Sequence, residues 1–404
     1  MRVVQVNTAD RKGGAAIAAY RIHCGLRDIS GIDSRLLVGI KVTRDASVHS
    51  CYGTAAGYRL SRLNHRLLDR FCLGGVFQLP PAPDANRLLH SADLIHLHNI
   101  HGGFFSYCSL LQMARTIPMI WTLHDMWSFT GYCAYSNDCK RWLTGCGSCP
   151  QLTAPGAPTD RSAWHWERKK NACRDARLTI VAPSRWLADL AKESPIHGHL
   201  DVHCIPNGVE TDIFCPQDRT ALRRSLNIPE RAYVLLAQGD ARKGSGRLTR
   251  ILGALPEELR RSVFLILVAE TVPPELLQLL GAERVQATGY VATQERMAQL
   301  YGMADLFLLP TEADNLPNTL LESISCGTPA VTFDVGGCPD VIRHMETGYV
   351  ARFGDNGNFA EGIGFLLNHC STYNKMRERC RTVAMSEFDV SVAVQHYLKL
   401  YDSM

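Results

Sequence analysis

Between Pro310 and Cys326 the sequence reads Pro-Thr-Glu-Ala-Asp-Asn-Leu-Pro-Asn-Thr-Leu-Leu-Glu-Ser-Ile-Ser-Cys, a run that concentrates carboxylates and amides around one turn. The apolar run Leu306–Leu309 before it predicts a buried strand, and Thr319–Ser325 predicts a helix stopped by Gly327. Asp314, Asn315, Leu316, Asn318 and Thr319 then lie where a strand's carboxyl end meets a helix amino terminus. Free N–H groups and the helix dipole favour a phosphate or a set of sugar hydroxyls there. Glu322 falls one turn further on, where a carboxylate can accept two hydrogen bonds from a vicinal diol such as ribose. Helix capping accounts for Asp314 or Asn318 singly but not for the whole set.

A second group follows another predicted strand as Gln238-Gly239-Asp240-Ala241-Arg242-Lys243-Gly244. Arg242 and Lys243 offer a bidentate fork and a point charge to a diphosphate, although a solvated basic turn gives the same pattern. Gly13 and Gly14 follow the first strand and open a helix, without matching the dinucleotide fingerprint. In His96-Leu97-His98-Asn99-Ile100-His101, three histidines sit at and after a strand end. They could be read as metal ligands, but strand residues alternate faces, which favours His98 and His101 as loop residues facing an acceptor, or simple packing. Cys133, Cys139, Cys146 and Cys149 fall within 17 residues, with Gly145 and Gly147 between them for tight turns. Four thiolates so spaced suit a structural tetrahedral zinc; four reduced thiols in a loop is the alternative. A metal there would shape the acceptor side and perform no chemistry.

These groups need elements to hold them. Short apolar runs alternate with helical stretches along the whole chain. They run from Val3–Val6, Ser34–Val38, Leu94–Leu97, Met119–Leu123, Thr179–Ala182 and Val202–Ile205 to Val234–Gln238, Val263–Ala269, Arg284–Ala287, Leu306–Leu309 and Ala330–Phe333. The pattern predicts an α/β protein of two Rossmann-like, doubly wound domains facing a cleft, which 404 residues can supply. Pro206-Asn207-Gly208 marks the boundary, giving domains 1–205 and 206–387 and a terminal helix 388–404 packing back on the first.

Composition is that of an ordinary folded protein, with 46% apolar and 20% charged residues. No apolar run reaches the roughly 18 residues of a membrane span, and the opening strand is too soon polar for a secretory signal. A cytoplasmic protein is expected, with its fifteen cysteines mostly reduced. Residues 1–200 carry 24 Lys and Arg against 14 Asp and Glu, while the rest carry 19 against 25. A basic first half suits an anionic partner. Tyr58–Phe71 sets Leu60, Leu63, Leu67 and Phe71 on one helical stripe and Arg59, Arg62, Arg66 and Arg70 on another. Such a helix either lies on the inner face of an anionic membrane or packs in a core with snorkelling arginines. Nucleic acid is not expected, because no aromatic stacking platform is interleaved with the basic residues.

Taken in order, these stretches resemble glycosyltransferase family 4, retaining enzymes of GT-B fold, and within it colanic-acid and exopolysaccharide enzymes. The resemblance runs through Gly13-Gly14, Trp121-Thr122-Leu123-His124-Asp125, Ala182-Pro183-Ser184, Ile205-Pro206-Asn207-Gly208-Val209 and Arg242-Lys243-Gly244. It continues through Leu321–Pro329, Gly336–Asp340 and Thr347–Tyr349. It implies a nucleotide-diphosphate sugar as donor, with Gly13, Gly14, Asn207 and Gly208 among the donor contacts. Glu322 matches the family's ribose-binding glutamate, and Arg242 and Lys243 would neutralise the leaving diphosphate. His124 matches a histidine that reaches a donor-sugar hydroxyl. Asp314 stands where the family has the first glutamate of its E-x7-E motif, and Gln238 where it more often has arginine. The resemblance also implies that catalysis requires no metal or other cofactor, and that the acceptor is an oligosaccharide, lipid-linked or free. Other reactions on this fold, phosphorolysis or sugar-nucleotide epimerisation, remain open, as does a non-catalytic nucleotide- or zinc-binding protein.

Overall fold

A computed structural model describes residues 1–153, 157, 159–240 and 243–404. Arg242, the predicted partner of Lys243, lies outside the described residues. The chain divides into two compact units, Met1–Asn207 with Ala393–Met404, and Gly208–Val392. The division thus falls between Asn207 and Gly208, and the terminal segment joins the first unit from Ala393 onward.

The first unit holds seven strands: β1 (Arg2–Ala9), β2 (Asp33–Ile40), β3 (Val48–Ser50), β4 (Leu94–Leu97), β5 (Met119–Thr122), β6 (Leu178–Ala182) and β7 (Val202–Cys204). They form one all-parallel sheet in the order β3-β2-β1-β4-β5-β6-β7. The second unit has β8 (Tyr233–Gln238), β9 (Val263–Val268), β10 (Val285–Ala287), β11 (Leu306–Leu309), β12 (Ala330–Phe333) and β13 (Gly348–Ala351), parallel in the order β10-β9-β8-β11-β12-β13. Parallel strands require crossover connections, and helices supply them, burying the apolar runs on both faces. That is why β4, β5, β11 and β12 are buried at every position. Each unit is therefore a doubly wound Rossmann-like layer, and the pair is the GT-B architecture.

In each sheet the strand order reverses once, between β1 and β4 and between β8 and β11. Helices leave opposite faces of the sheet at such a point and open a crevice at the carboxyl ends of the two strands. Both crevices fall on residues singled out by their chemistry: Gly13 and His98 follow β1 and β4, while Lys243 and Asp314 follow β8 and β11.

Two carboxylates brace these sheets. Asp10, fully buried, accepts from the amides of Arg11, Val42 and Thr43 and from the Thr43 hydroxyl, which ties the turn after β1 to the end of β2. Asp305, immediately before β11, accepts from Arg219, from Arg223 Nη2 at 2.8 Å and from the Val234 amide at 2.7 Å. The helix Ala55–Asp69 has a Thr54 cap on the Gly57 amide at 3.1 Å and buries only Ser61. Its leucines do not enter a core: Leu60, Leu63 and Leu67 are 58%, 54% and 62% exposed, and Phe71 beyond it is 53% exposed. Among the described residues no helix is long and apolar enough to cross a membrane.

Candidate functional site

In the second unit the Pro310–Cys326 run folds as its pattern predicts. β11 ends at Leu309, a turn carries Asp314 and Asn315, and the helix Asn318–Ser325 follows. Pro317 stands at the N-cap and no side chain caps this helix, so capping explains neither Asp314 nor Asn318. Asn315, Leu316, Asn318 and Glu322 are buried. The Thr319 hydroxyl is buried with no hydrogen-bond partner among the described residues. A buried, unpaired hydroxyl in the first turn of an uncapped helix costs free energy unless a ligand completes it. Glu322 is buried one turn into this helix, and its Oε2 accepts from the Tyr301 hydroxyl at 3.3 Å.

Lys243 stands at the neighbouring strand end and forms an ion pair with Asp314, joining the two predicted groups directly. The approach is close because Gly244 presses on β11: with φ +80°, a Cβ there would lie 1.8 Å from the Pro310 carbonyl oxygen. Only glycine takes that conformation without penalty and leaves that space. One further cation, without a motif to mark it in the sequence, stands here. Arg247 donates to Glu312 Oε1 at 3.0 and 2.8 Å, and its guanidinium lies 5.6 Å from the Phe333 ring centroid. Its four-residue spacing from Lys243 was the available signal.

In the first unit Gly13 is the N-cap of helix Gly14–Ser30, and no described atom lies within 4 Å of where its Cβ would stand. The backbone after β4 is pinned on β1: the Asn99 amide donates to Asn7 Oδ1 at 3.0 Å and the Thr8 amide to the Asn99 carbonyl at 2.8 Å. A cavity beside it is lined by His98, His101, Trp121, His124, Asp125 and Trp127, among others. His101 Nε2 meets Asp125 Oδ2 at 2.9 Å, and the Trp127 amide donates to Asp125 Oδ1 at 2.8 Å. Burial works to raise the Asp125 carboxyl, but the His101 ring and the Trp127 amide together hold it below its ordinary value. Asp125 joins His101 on this cavity, and in the sequence only its place in the Trp121–Asp125 stretch marks it.

Lys169, from the helix Ser162–Arg174, is buried beneath this turn. Its ammonium donates to the Trp127 and Thr130 carbonyls at 2.5 and 2.9 Å and lies 3.5 Å from the Trp127 ring centroid. Two carbonyls and an aromatic face satisfy an ammonium that burial pushes down to about 7.

The histidines separate by role. His101 faces the cavity beside Asp125, whereas His98 is buried with both ring nitrogens engaged, Nε2 with Gln5 Oε1 at 2.9 Å and Nδ1 with His124 Nε2 at 3.2 Å. Burial drives the His98 ring well below its usual value and the His124 ring down to about 4, so both are neutral at neutral pH. His96 is internal as well, bonded to Tyr401 and Thr122 at 2.7 Å each, which removes it from any metal triad. Asn207 is buried at the end of the first unit, and Gly208 packs on Val390, where a Cβ would meet Cα at 2.6 Å.

Cys133, Cys139, Cys146 and Cys149 are all free thiols of intermediate exposure. Cys146 Sγ accepts from the Gly131 amide at 3.3 Å, and Cys146 and Ser148 both have positive φ, so the loop is tightly turned. Among the described residues no three His, Cys, Asp or Glu side chains are placed to hold a metal ion together.

Two family profiles match the chain in succession: Glycosyltransferase Family 4 over residues 12–213 and Glycosyl transferases group 1 over residues 233–369. A Bacillus anthracis N-acetyl-alpha-D-glucosaminyl L-malate synthase is 28% identical over 206 residues, 50% of this chain and 53% of that one. The aligned stretch thus spans about half the length of that relative. An Escherichia coli chain described as the colanic acid biosynthesis glycosyl transferase WcaC is 23% identical over 365 residues, 85% of each. Among solved structures, Anabaena HepE, in complex with UDP and glucose, covers 100% of both chains with a TM-score of 0.68 at 16% identity, a likeness of fold. With the first profile spanning half the chain and the second continuing it across the second crevice, the chain belongs to glycosyltransferase family 4.

Proposed function

We propose that this protein transfers a sugar, with retention of anomeric configuration, from a nucleotide-diphosphate sugar to a growing oligosaccharide. The observation that carries this is the crevice between β8 and β11, where Lys243, the uncapped helix Asn318–Ser325 and Glu322 converge. A departing nucleoside diphosphate gathers negative charge, which a fixed ammonium and the positive end of the helix dipole stabilise. Glu322, a buried carboxylate one turn into that helix, suits the ribose diol. Glu322→Ala is expected to abolish the thermal stabilisation that UDP or GDP gives the wild-type protein; unchanged protection would reject this nucleotide site.

The first unit suits the sugar side of the reaction, with His124, His101 and Asp125 on one cavity. An epimerase would convert its donor with no acceptor present, and a phosphorylase would need orthophosphate, so an acceptor-dependent release of nucleoside diphosphate separates the three. Retention is read from the anomeric proton couplings of the product.

The acceptor in this reading is lipid-linked and met at an anionic membrane surface. Support comes from the helix Ala55–Asp69, whose apolar stripe faces solvent beside three arginines, with Arg70 following at its C-cap. Burying leucines in the interface while arginines meet phosphates is how such helices bind. The protein is expected to float with phosphatidylglycerol vesicles and not with phosphatidylcholine, and Leu63→Glu with Leu67→Glu to weaken flotation about tenfold or more. Equal flotation of the double variant would reject the surface. A structural zinc on the four-cysteine loop belongs to the same reading, supported by its tight turns and its amide-to-thiol bond. Zinc analysis of the purified protein, one equivalent or none, decides it.

A further inference from the structure

The first unit contains an unbroken chain of buried hydrogen bonds that runs from a carboxylate near the surface to His124, and proton counting along it leaves one solution. Asp45 is the starting point. Its carboxyl is held down to about 2 despite burial, chiefly by Ser47, and carries no proton of its own. The Ser47 hydroxyl, 2.6 Å from Asp45 Oδ1, must therefore donate to it. A serine has one hydrogen, so Ser47 Oγ can only accept from His23 Nε2 at 2.8 Å.

His23 is fully buried, and burial pushes its ring down to about 4, so it carries a single proton, now placed on Nε2. Its Nδ1 is then a lone pair, and the Ser34 hydroxyl donates to it at 2.9 Å. With its hydrogen spent, Ser34 Oγ accepts from the side-chain amide of Gln5 at 3.1 Å, which fixes which end of that amide is nitrogen. Gln5 Oε1 is turned to His98 and accepts from Nε2–H at 2.9 Å. Neutral His98 presents a lone pair at Nδ1, so His124 must donate to it through Nε2–H at 3.2 Å. His124 in turn is left with a lone pair on Nδ1, and that nitrogen makes no hydrogen bond to the described residues.

We infer that Asp45, Ser47, His23, Ser34, Gln5 and His98 act as positioning residues that lock His124 in its Nε2–H tautomer, so that it offers the ligand cavity an acceptor and never a donor. A group that brings its own hydrogen, the hydroxyl of a neutral sugar, satisfies that nitrogen; a phosphate or carboxylate oxygen leaves it unpaired and is disfavoured. The inference rests on the reading that this cavity takes a sugar, but the lock itself belongs to the protein alone.

The test is made on the protein without substrate. Imidazole 15N–1H correlation spectra at neutral pH, with His124 assigned by its loss in His124→Gln, are expected to show Nε2 protonated and Nδ1 bare. Ser34→Ala lies three hydrogen bonds from His124 and should release the lock, leaving a mixture of the two tautomers. Without the serine oxygen, nothing fixes which end of the Gln5 amide meets His98, and both proton arrangements downstream become populated. Gln5→Met, which removes the link outright, is expected to leave His124 as a mixture and serves if Ser34→Ala does not fold. An Nδ1–H or cationic His124 in the wild type, or an unchanged tautomer in the variants, overturns the inference. Failure to find a nucleotide-sugar donor would overturn the proposed function and leave this measurement standing.

Discussion

Lys243→Met is expected to lower kcat by about 10³-fold with the fold intact. Two losses act together. The ammonium that would offset the leaving diphosphate is gone, and the carboxylate it neutralises in the free protein, Asp314, is left without its counter-charge at the same strand end. Both side chains are mostly shielded, at 22% and 15% exposed, so solvent screens little of either effect. Lys243→Met with Asp314→Asn removes the stranded charge and should regain part of the loss. Single-turnover release of nucleoside diphosphate measures all three variants. A Lys243→Met enzyme within tenfold of wild type would mean that the diphosphate is held elsewhere, with Arg247 the next residue to change.

The second large effect is expected from a residue with no side chain. Gly336 follows β12 with φ +56°, and a Cβ there would stand 1.8 Å from the Asp314 carbonyl oxygen, which accepts from the Gly337 amide at 3.2 Å. Gly336→Ala therefore pushes the turn carrying Asp314 and Asn315 outward by something like an ångström. A displacement of that size at a positioned site costs about 10²-fold in activity. Part of any change comes only from forcing alanine into a left-handed conformation, about 1 kcal/mol. Gly354→Ala separates the two: its φ is +77° and nothing lies within 4 Å of its Cβ position. Gly354→Ala should lower the melting temperature by a few degrees and keep nucleotide protection, whereas Gly336→Ala should lose it. Equal behaviour of the two variants would rule out the steric account.

The fold was largely written in local pattern. Buried parallel strands read as unbroken apolar runs, so Leu306–Leu309 and Ala330–Phe333 were found with their observed ends. The two strands that escaped, β3 and β13, lie at sheet edges and are short. Val48–Ser50 buries one residue of three, and Gly348–Ala351 opens on glycine, so neither shows an apolar run. The turn after β11 was legible for the same reason as its strand, since everything from Pro310 to Glu322 is local. His98 was not. Whether a histidine after a strand keeps a ring nitrogen for a ligand depends on partners far away in sequence, here Gln5, 93 residues back. Nor could spacing reveal that Lys169 would lie beneath the Trp127 turn, because a helix 42 residues further on delivers it.

The terminal helix has a consequence for how the protein is made. Tyr397 and Tyr401 complete the hydrogen bonding of Thr122 and His96, groups fully buried at the centre of the first sheet once that helix is in place. A ribosome adding 5–20 residues per second takes roughly 15–55 s to travel from Thr122 to Tyr397. Throughout that interval the second unit is being synthesised, and the first sheet must wait with polar groups its finished form would seal. A truncation before Ala393 should hold the first unit in that waiting state. The helix that carries Tyr397 and Tyr401 is therefore the latch that closes the first sheet.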